Sequence, residues 1–181
     1  MMVTHGVKNI VYSSSAAVYK QQDENIKEDS EIAHNSPYGY TKYASECAIR
    51  DSGLNYVNFR YFNLAGADPD GEFGENHDPE THLIPNIFKS TTSTEVELQI
   101  FGDDYPSADG TCVRDYVHVT DLAQAHLLSI HYMKSREKGF SEFNLGSGNG
   151  FSVMEVLSAC ADVVGRDIPF SVGVRRPGDP A

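Results

Sequence analysis

The sequence contains no C-x-x-C pair. Its three cysteines, Cys47, Cys112 and Cys160, are odd in number and widely spaced, which indicates neither a zinc knuckle nor a disulfide framework and fits a reducing, cytoplasmic compartment. No apolar run approaches the length of a membrane span, and the N-terminus lacks a secretory-leader pattern. Positive charge is scarce. Lys and Arg number 14 against 26 Asp and Glu, for a net charge of −12, which argues against nonspecific binding to nucleic acid or to an anionic membrane. A dinucleotide phosphate loop is missing too. The glycine-rich Gly146-Ser147-Gly148-Asn149-Gly150 has Phe151 where G-x-G-x-x-G requires its last glycine.

What remains is a globular composition, 40% hydrophobic and 22% charged over 181 residues, suited to one domain or one domain with a small lobe. The pattern is α/β throughout. Asn9-Ile10-Val11-Tyr12 reads as a buried strand running into Ser13-Ser14-Ser15. Residues 20–36 are acidic and read as an exposed loop. A helix starts at Pro37 behind Ser36 and stops at Gly53, and a strand over 54–62 follows. Strand, helix and strand of these lengths make a βαβ unit and a parallel sheet. Residues 68–82 form a long polar loop. A short helix follows to about Thr92, then strands over 96–101 and 113–119. Thr120 reads as the cap of a helix over 121–134. A strand over 142–145, a Gly-rich turn, a helix capped by Ser152 and stopped by Gly165, and a last strand over 168–174 complete the chain.

Tyr38 and Lys42 lie four residues apart in the first long helix, on one face. An ammonium beside a phenol favours the phenolate, and a tyrosine tuned that way moves protons near neutral pH. The plain alternative is a solvated helix face. Ser15 ends a strand at the carboxyl edge of the sheet, where open α/β folds bind ligands; the alternative there is a Ser-rich turn. Hydroxyl, phenol and ammonium together suit proton removal from an alcohol while a hydride leaves its carbon, which requires a nicotinamide. Arg114 and Arg176 are candidate anion clamps or surface ion-pair partners. His77 and His82 are five apart, as are His126 and His131. That spacing is poor for ligands shared along a helix, and no metal site is expected.

Several stretches, in order, resemble the extended short-chain dehydrogenase/reductase family and within it the UDP-glucose 4-epimerases. They are Ser13 to Tyr19, Ser36-Pro37-Tyr38-Gly39 through Lys42, Arg60-Tyr61-Phe62-Asn63, Gly74-Glu75, and His82-Leu83-Ile84-Pro85. Ile100 to Pro106, Asp109 to Val119, Asn144 to Gly148 and Arg175 to Asp179 follow. The resemblance implies a partial Rossmann-like parallel sheet (1–66 and 115–147) that binds NAD, with part of a smaller UDP-sugar-binding lobe (67–114 and 148–181). It implies Ser15, Tyr38 and Lys42 as catalytic residues, with Ser13 and Phe62 joining them around the cofactor. Asn63, His82, Leu83, Gln99, Phe101, Arg114, Arg176 and Asp179 would contact the UDP-sugar. The implied reaction interconverts UDP-glucose and UDP-galactose through transient oxidation at sugar C4. Another UDP-sugar 4-epimerase, of arabinose, glucuronate or N-acetylhexosamine type, and a noncatalytic UDP-sugar-binding remnant are the alternatives. Full-length members are commonly homodimers. The family's usual glycine-rich loop precedes the matching stretches, so the chain reads as an internal fragment, expected to turn over little or nothing by itself.

Overall fold

The computed structural model describes residues 1–22, 24–93, 97–135 and 139–176. Two units emerge. The first comprises Met1–Gly66 and Val117–Gly148, the second Ala67–Tyr116 and Asn149–Ala181.

The first unit is built on β1 (Asn9–Ser13), α1 (Pro37–Asp51) and β2 (Asn55–Tyr61), and it includes the short β3 (Asn63–Ala65). β2 takes the centre of a three-stranded parallel sheet. β1 lies on one side, with Ile10 opposite Tyr56, and the later strand 140–145 lies on the other, with Phe59 opposite Phe143. Both faces of β2 are covered, so it alternates by chemistry rather than by exposure. Val57 and Phe59 pack with Met133, Ala125 and Phe143. Tyr56, Asn58 and Arg60 point the other way and are also buried. α1 starts as its sequence directs: Ser36 Oγ accepts the Gly39 N–H at 3.1 Å and Pro37 occupies the first turn.

The second unit contributes α2 (Leu83–Thr92), β4 (Leu98–Phe101) and β5 (Val113–His118), whose last two residues belong to the first unit. α3 (Val119–Lys134) and β6 (Phe140–Leu145) return to the first unit, and β7 (Gly150–Ser152), α4 (Val153–Val164) and β8 (Phe170–Gly173) complete the second. β4 and β8 pair parallel, while β5 and β7 pair antiparallel with Arg114 opposite Phe151. The core here joins Ile87, Leu98, Ile100, Val153, Leu157, Cys160 and Ile168. A reciprocal cap opens α4: Ser152 Oγ accepts the Glu155 N–H, and the Glu155 carboxylate accepts the Ser152 N–H. Gly165 closes it with φ 74°, a left-handed conformation that suits glycine.

Three expectations need correction. α3 is capped by His118, whose Nδ1 accepts the Thr120 N–H at 3.2 Å, and Thr120 itself lies inside the helix. Asn63–Ala65 and Gly150–Ser152 are strands, not connections. The strand expected over 96–101 begins at Leu98: Glu97 precedes it outside the ladder, and residue 96 lies outside the described residues. Among the described residues, no helix is long and apolar enough to cross a membrane.

Candidate active site

In the first unit, Gly39 draws the start of α1 against the turn that follows β1. A Cβ built on Gly39 would stand 2.3 Å from the Ala17 carbonyl oxygen and 3.1 Å from His34 Cβ. Only glycine permits that approach. The contact brings Tyr38, the neighbour of Gly39, to the turn that Ser15 opens. Ser15 Oγ accepts the Ala17 N–H at 3.2 Å and caps the single helical turn Ala16–Val18.

One helical turn along α1, Lys42 closes the arrangement. Its Nζ donates to the Ser13 carbonyl at 2.8 Å, at the carboxyl end of β1. The same ammonium lies 5.5 Å from the Tyr38 ring centroid and 5.4 Å from that of Tyr12, within the range of cation–π attraction. Tyr38 is 54% exposed. An accessible phenol with an ammonium held over its ring can donate and accept a proton at a bound alcohol. Ser13 Oγ stands 3.4 Å from His126 Nε2, and His126 Nδ1 donates to the Leu122 carbonyl at 2.8 Å. The Ser13 hydroxyl thus meets an imidazole held on α3. Phe62 is partly buried, its N–H bonded to the Leu145 carbonyl at 3.1 Å, and Asn63 is exposed at the start of β3.

Beneath this surface lies a network absent from the sequence reading. Glu46 follows Lys42 by one further turn of α1 and is wholly buried. Its carboxylate accepts Arg60 Nε at 3.0 Å and Nη2 at 2.6 Å, and also the Ser14 hydroxyl. Arg60 Nη1 donates to the Tyr19 hydroxyl at 2.9 Å, which donates to Asn144 Oδ1 at 2.7 Å. Burial pushes the Arg60 pKa down, but the hydrogen bonds to Glu46 and Tyr19 more than reverse this, and the guanidinium stays charged. Burial raises the Tyr19 phenol above its ordinary value against the pull of Arg60. The signal for this network was in the sequence: Tyr38, Lys42 and Glu46 at successive fourth positions of one helix, and an arginine inside an apolar strand.

The second unit holds most of the remaining candidates. Arg176 lies over the Phe101 ring at 4.9 Å, and Gln99, two residues before Phe101 on β4, is exposed. His82 occupies the position before the first turn of α2 without a side-chain capping bond, and Leu83 opens the helix. Arg114 is partly buried on β5, with Nη1 donating to the Val113 carbonyl at 2.7 Å. The structure therefore joins Phe101 with Arg176, and His82 with Leu83. Asp179 lies outside the described residues.

Residues 1–146 match the model of the NAD dependent epimerase/dehydratase family. The chain belongs to that family. Its sequence is 49% identical to the UDP-glucose 4-epimerase of Lacticaseibacillus casei, over 97% of this chain and 54% of that protein. It is 46% identical to the UDP-glucose 4-epimerase of Halalkalibacterium halodurans, over 99% of this chain and 55% of that protein. The chain thus spans about half the length of the curated relatives it matches. Among solved structures it is similar to a UDP-glucose 4-epimerase from Bifidobacterium longum in complex with NAD+ and UDP, at TM-score 0.93 and 39% identity, covering 99% of this chain and 56% of that one. A Stenotrophomonas maltophila UDP-glucose-4-epimerase with bound NAD and formylated UDP-arabinopyranose gives TM-score 0.92 at 39% identity, covering 99% and 55%. The α/β fold with a parallel, Rossmann-like sheet is the epimerase fold of these relatives.

Proposed function

We propose that the chain is part of an NAD-dependent 4-epimerase that interconverts UDP-glucose and UDP-galactose, with little turnover by this chain alone, Met1–Gly66 with Val117–Gly148 serving as part of the cofactor domain and the other unit as part of the UDP-sugar lobe. The observation that carries this reading is the arrangement of Tyr38, Lys42 and the Ser13 carbonyl at the carboxyl end of a parallel strand. These residues fit the nicotinamide end of the dinucleotide, because Lys42 has further donors beyond the one given to Ser13 and stands beside an exposed phenol. The glycine-rich stretch 146–150 does not fit the pyrophosphate pattern, because Phe151 stands where that pattern requires its last glycine.

NAD, when bound, supplies a hydride acceptor and donor for the sugar carbon. Tyr38 takes the proton of the reacting hydroxyl and later returns it. Lys42 holds the phenol's orientation through its own anchor on Ser13, and Ser15 offers a second hydroxyl on the adjoining turn. Phe101 with Arg176, and Arg114, supply an aromatic face and guanidinium groups of the kind that grip a nucleoside diphosphate.

Calorimetric titration with UDP-galactose tests the reading. Saturable binding that weakens at least about tenfold in Arg176→Ala or Arg114→Ala is expected, whereas a folded chain indifferent to UDP-galactose overturns it. With NAD and the family's glycine-rich N-terminal segment supplied, formation of UDP-glucose should fall at least about a hundredfold in Tyr38→Phe while UDP-galactose binding persists. Turnover indifferent to Tyr38 removes the assigned role.

A further inference from the structure

The polar stretch before α2 gathers four side chains at one point. Glu75, His77, Glu80 and His82 each bring one ligand-type atom to within 4.8 Å of the other three. His82 Nδ1 is 2.6 Å from Glu75 Oε1 and 3.0 Å from Glu80 Oε1. His77 Nδ1 is 2.9 Å from the same Glu75 oxygen and 3.8 Å from Glu80 Oε2. The two imidazoles lie 5.2 Å apart, centroid to centroid. A five-residue separation is wrong for ligands on a helix, but these residues precede α2 in a loop, where that argument does not apply.

We propose that Glu75, His77, Glu80 and His82 form a site for one Zn2+ ion. The donor set, two imidazole nitrogens and two carboxylate oxygens, suits zinc in tetrahedral geometry. With bonds of about 2.0–2.1 Å, the edges of such a tetrahedron measure roughly 3.3–3.4 Å. The four histidine–carboxylate contacts above, from 2.6 to 3.8 Å, bracket that length, and the two remaining edges lie within 4.8 Å. The pocket has a firm floor and an open mouth. Glu80 has a side chain only 3% exposed, while His77 and His82 are 56% and 58% exposed. The Glu80 carboxylate is held in place by the backbone N–H groups of Thr81 and His82, each at 2.8 Å. Two carboxylates beside two imidazoles also concentrate negative charge in a chain of net charge −12, which draws a cation.

The site would fasten the loop to the first turn of α2. It would engage His82 through Nδ1 and leave Nε2 for another partner. This inference stands apart from the epimerase reading and can fail without it.

Titration of the purified chain with zinc chloride tests it. One ion per chain is expected to bind. Loss of a ligand in His77→Ala or Glu80→Gln should weaken uptake at least about tenfold, since even outer residues of zinc sites carry effects of that size. His131→Ala, which removes an exposed histidine on α3, should bind as the parent does. Co2+ in place of zinc should give the intense visible absorption of a tetrahedral centre, and Mg2+ should not compete, because it requires octahedral oxygen ligands. The absence of saturable uptake overturns the site, as does a His77→Ala chain that binds zinc as tightly as the parent.

Discussion

Replacing Glu46 by alanine should be among the most damaging single changes in the first unit. The side chain is fully buried and meets a guanidinium that is 3% exposed, through two hydrogen bonds of 3.0 and 2.6 Å. Truncation leaves Arg60 charged, out of water, and supported only by the Tyr19 hydroxyl at 2.9 Å among its side-chain contacts described above. Breaking a buried pair from one side costs about 3–5 kcal/mol. Ser14 loses its acceptor as well, adding about 1 kcal/mol. Against a typical global stability of about 5–15 kcal/mol, this removes a large share, and at about 2–4 °C per kcal/mol for a chain of this size Tm falls by roughly 8–24 °C. Arg60→Met should cost a comparable amount, since it strands the carboxylate. The double variant Glu46→Leu with Arg60→Met removes both charges and should be more stable than either single variant, because desolvating the pair offsets much of its attraction. Urea unfolding followed by circular dichroism, with all four proteins compared, gives the coupling energy. A coupling of at least about 2 kcal/mol is expected. Single variants that each cost under about 1 kcal/mol, or a double variant equal to their sum, would refute the claim that this pair fastens α1 to β2.

Gly39→Ala separates a packing argument from a propensity argument. Alanine usually favours a helix over glycine by about 1 kcal/mol, but here its Cβ meets the Ala17 carbonyl oxygen at 2.3 Å, a backbone atom that cannot rotate away. The expected result is a loss of about 1–3 kcal/mol in a thermal melt, and a neutral or stabilising outcome would sink the close-approach reading. Asp109 sets an acid dependence in the second unit. Burial raises its pKa, but hydrogen bonds from Ser152 and from the Thr111 hydroxyl and N–H outweigh that and leave it lowered. A carboxyl depressed on folding contributes stability that is full above its unfolded pKa of about 3.9 and is lost as pH falls through the folded value. Urea midpoints of the parent should therefore drop more steeply than those of Asp109→Asn as pH falls from about 5 through and below about 3.9; parallel curves would contradict the assignment.

Local chemistry made much of this fold readable. α1 and α4 announce their ends through Ser36-Pro37, Gly53, Ser152 with Glu155, and Gly165, because caps are decided by residues a few positions apart. β1 and β2 are rich in β-branched and aromatic residues and long enough to carry a signal. The strands 63–65 and 150–152 are too short for any periodicity, and the pairing of Gly150–Ser152 with Val113–Asp115 is a tertiary event. His118 does not stand out as a cap in sequence, because hydroxyl and carboxamide side chains lead that ranking, yet its imidazole Nδ1 accepts the Thr120 N–H.

The candidate site divides along the same line. Tyr38 and Lys42 are legible as a helical pair, since their spacing alone places them on one face. Glu46 continues that face, but what it does depends on Arg60, which reaches it only after α1 has packed over β2. Arg60 and Arg114 send the same signal in sequence, a cation inside an apolar strand. The first is buried against a carboxylate and the second is partly buried beside the Val113 carbonyl. The strand pattern cannot separate the two cases. For Arg60 the helix packed over that face presents an acid, so an arginine in a strand is best read together with the carboxylates on the preceding helix. By that rule Glu46, one turn beyond Lys42, identifies Arg60 as a fastening residue.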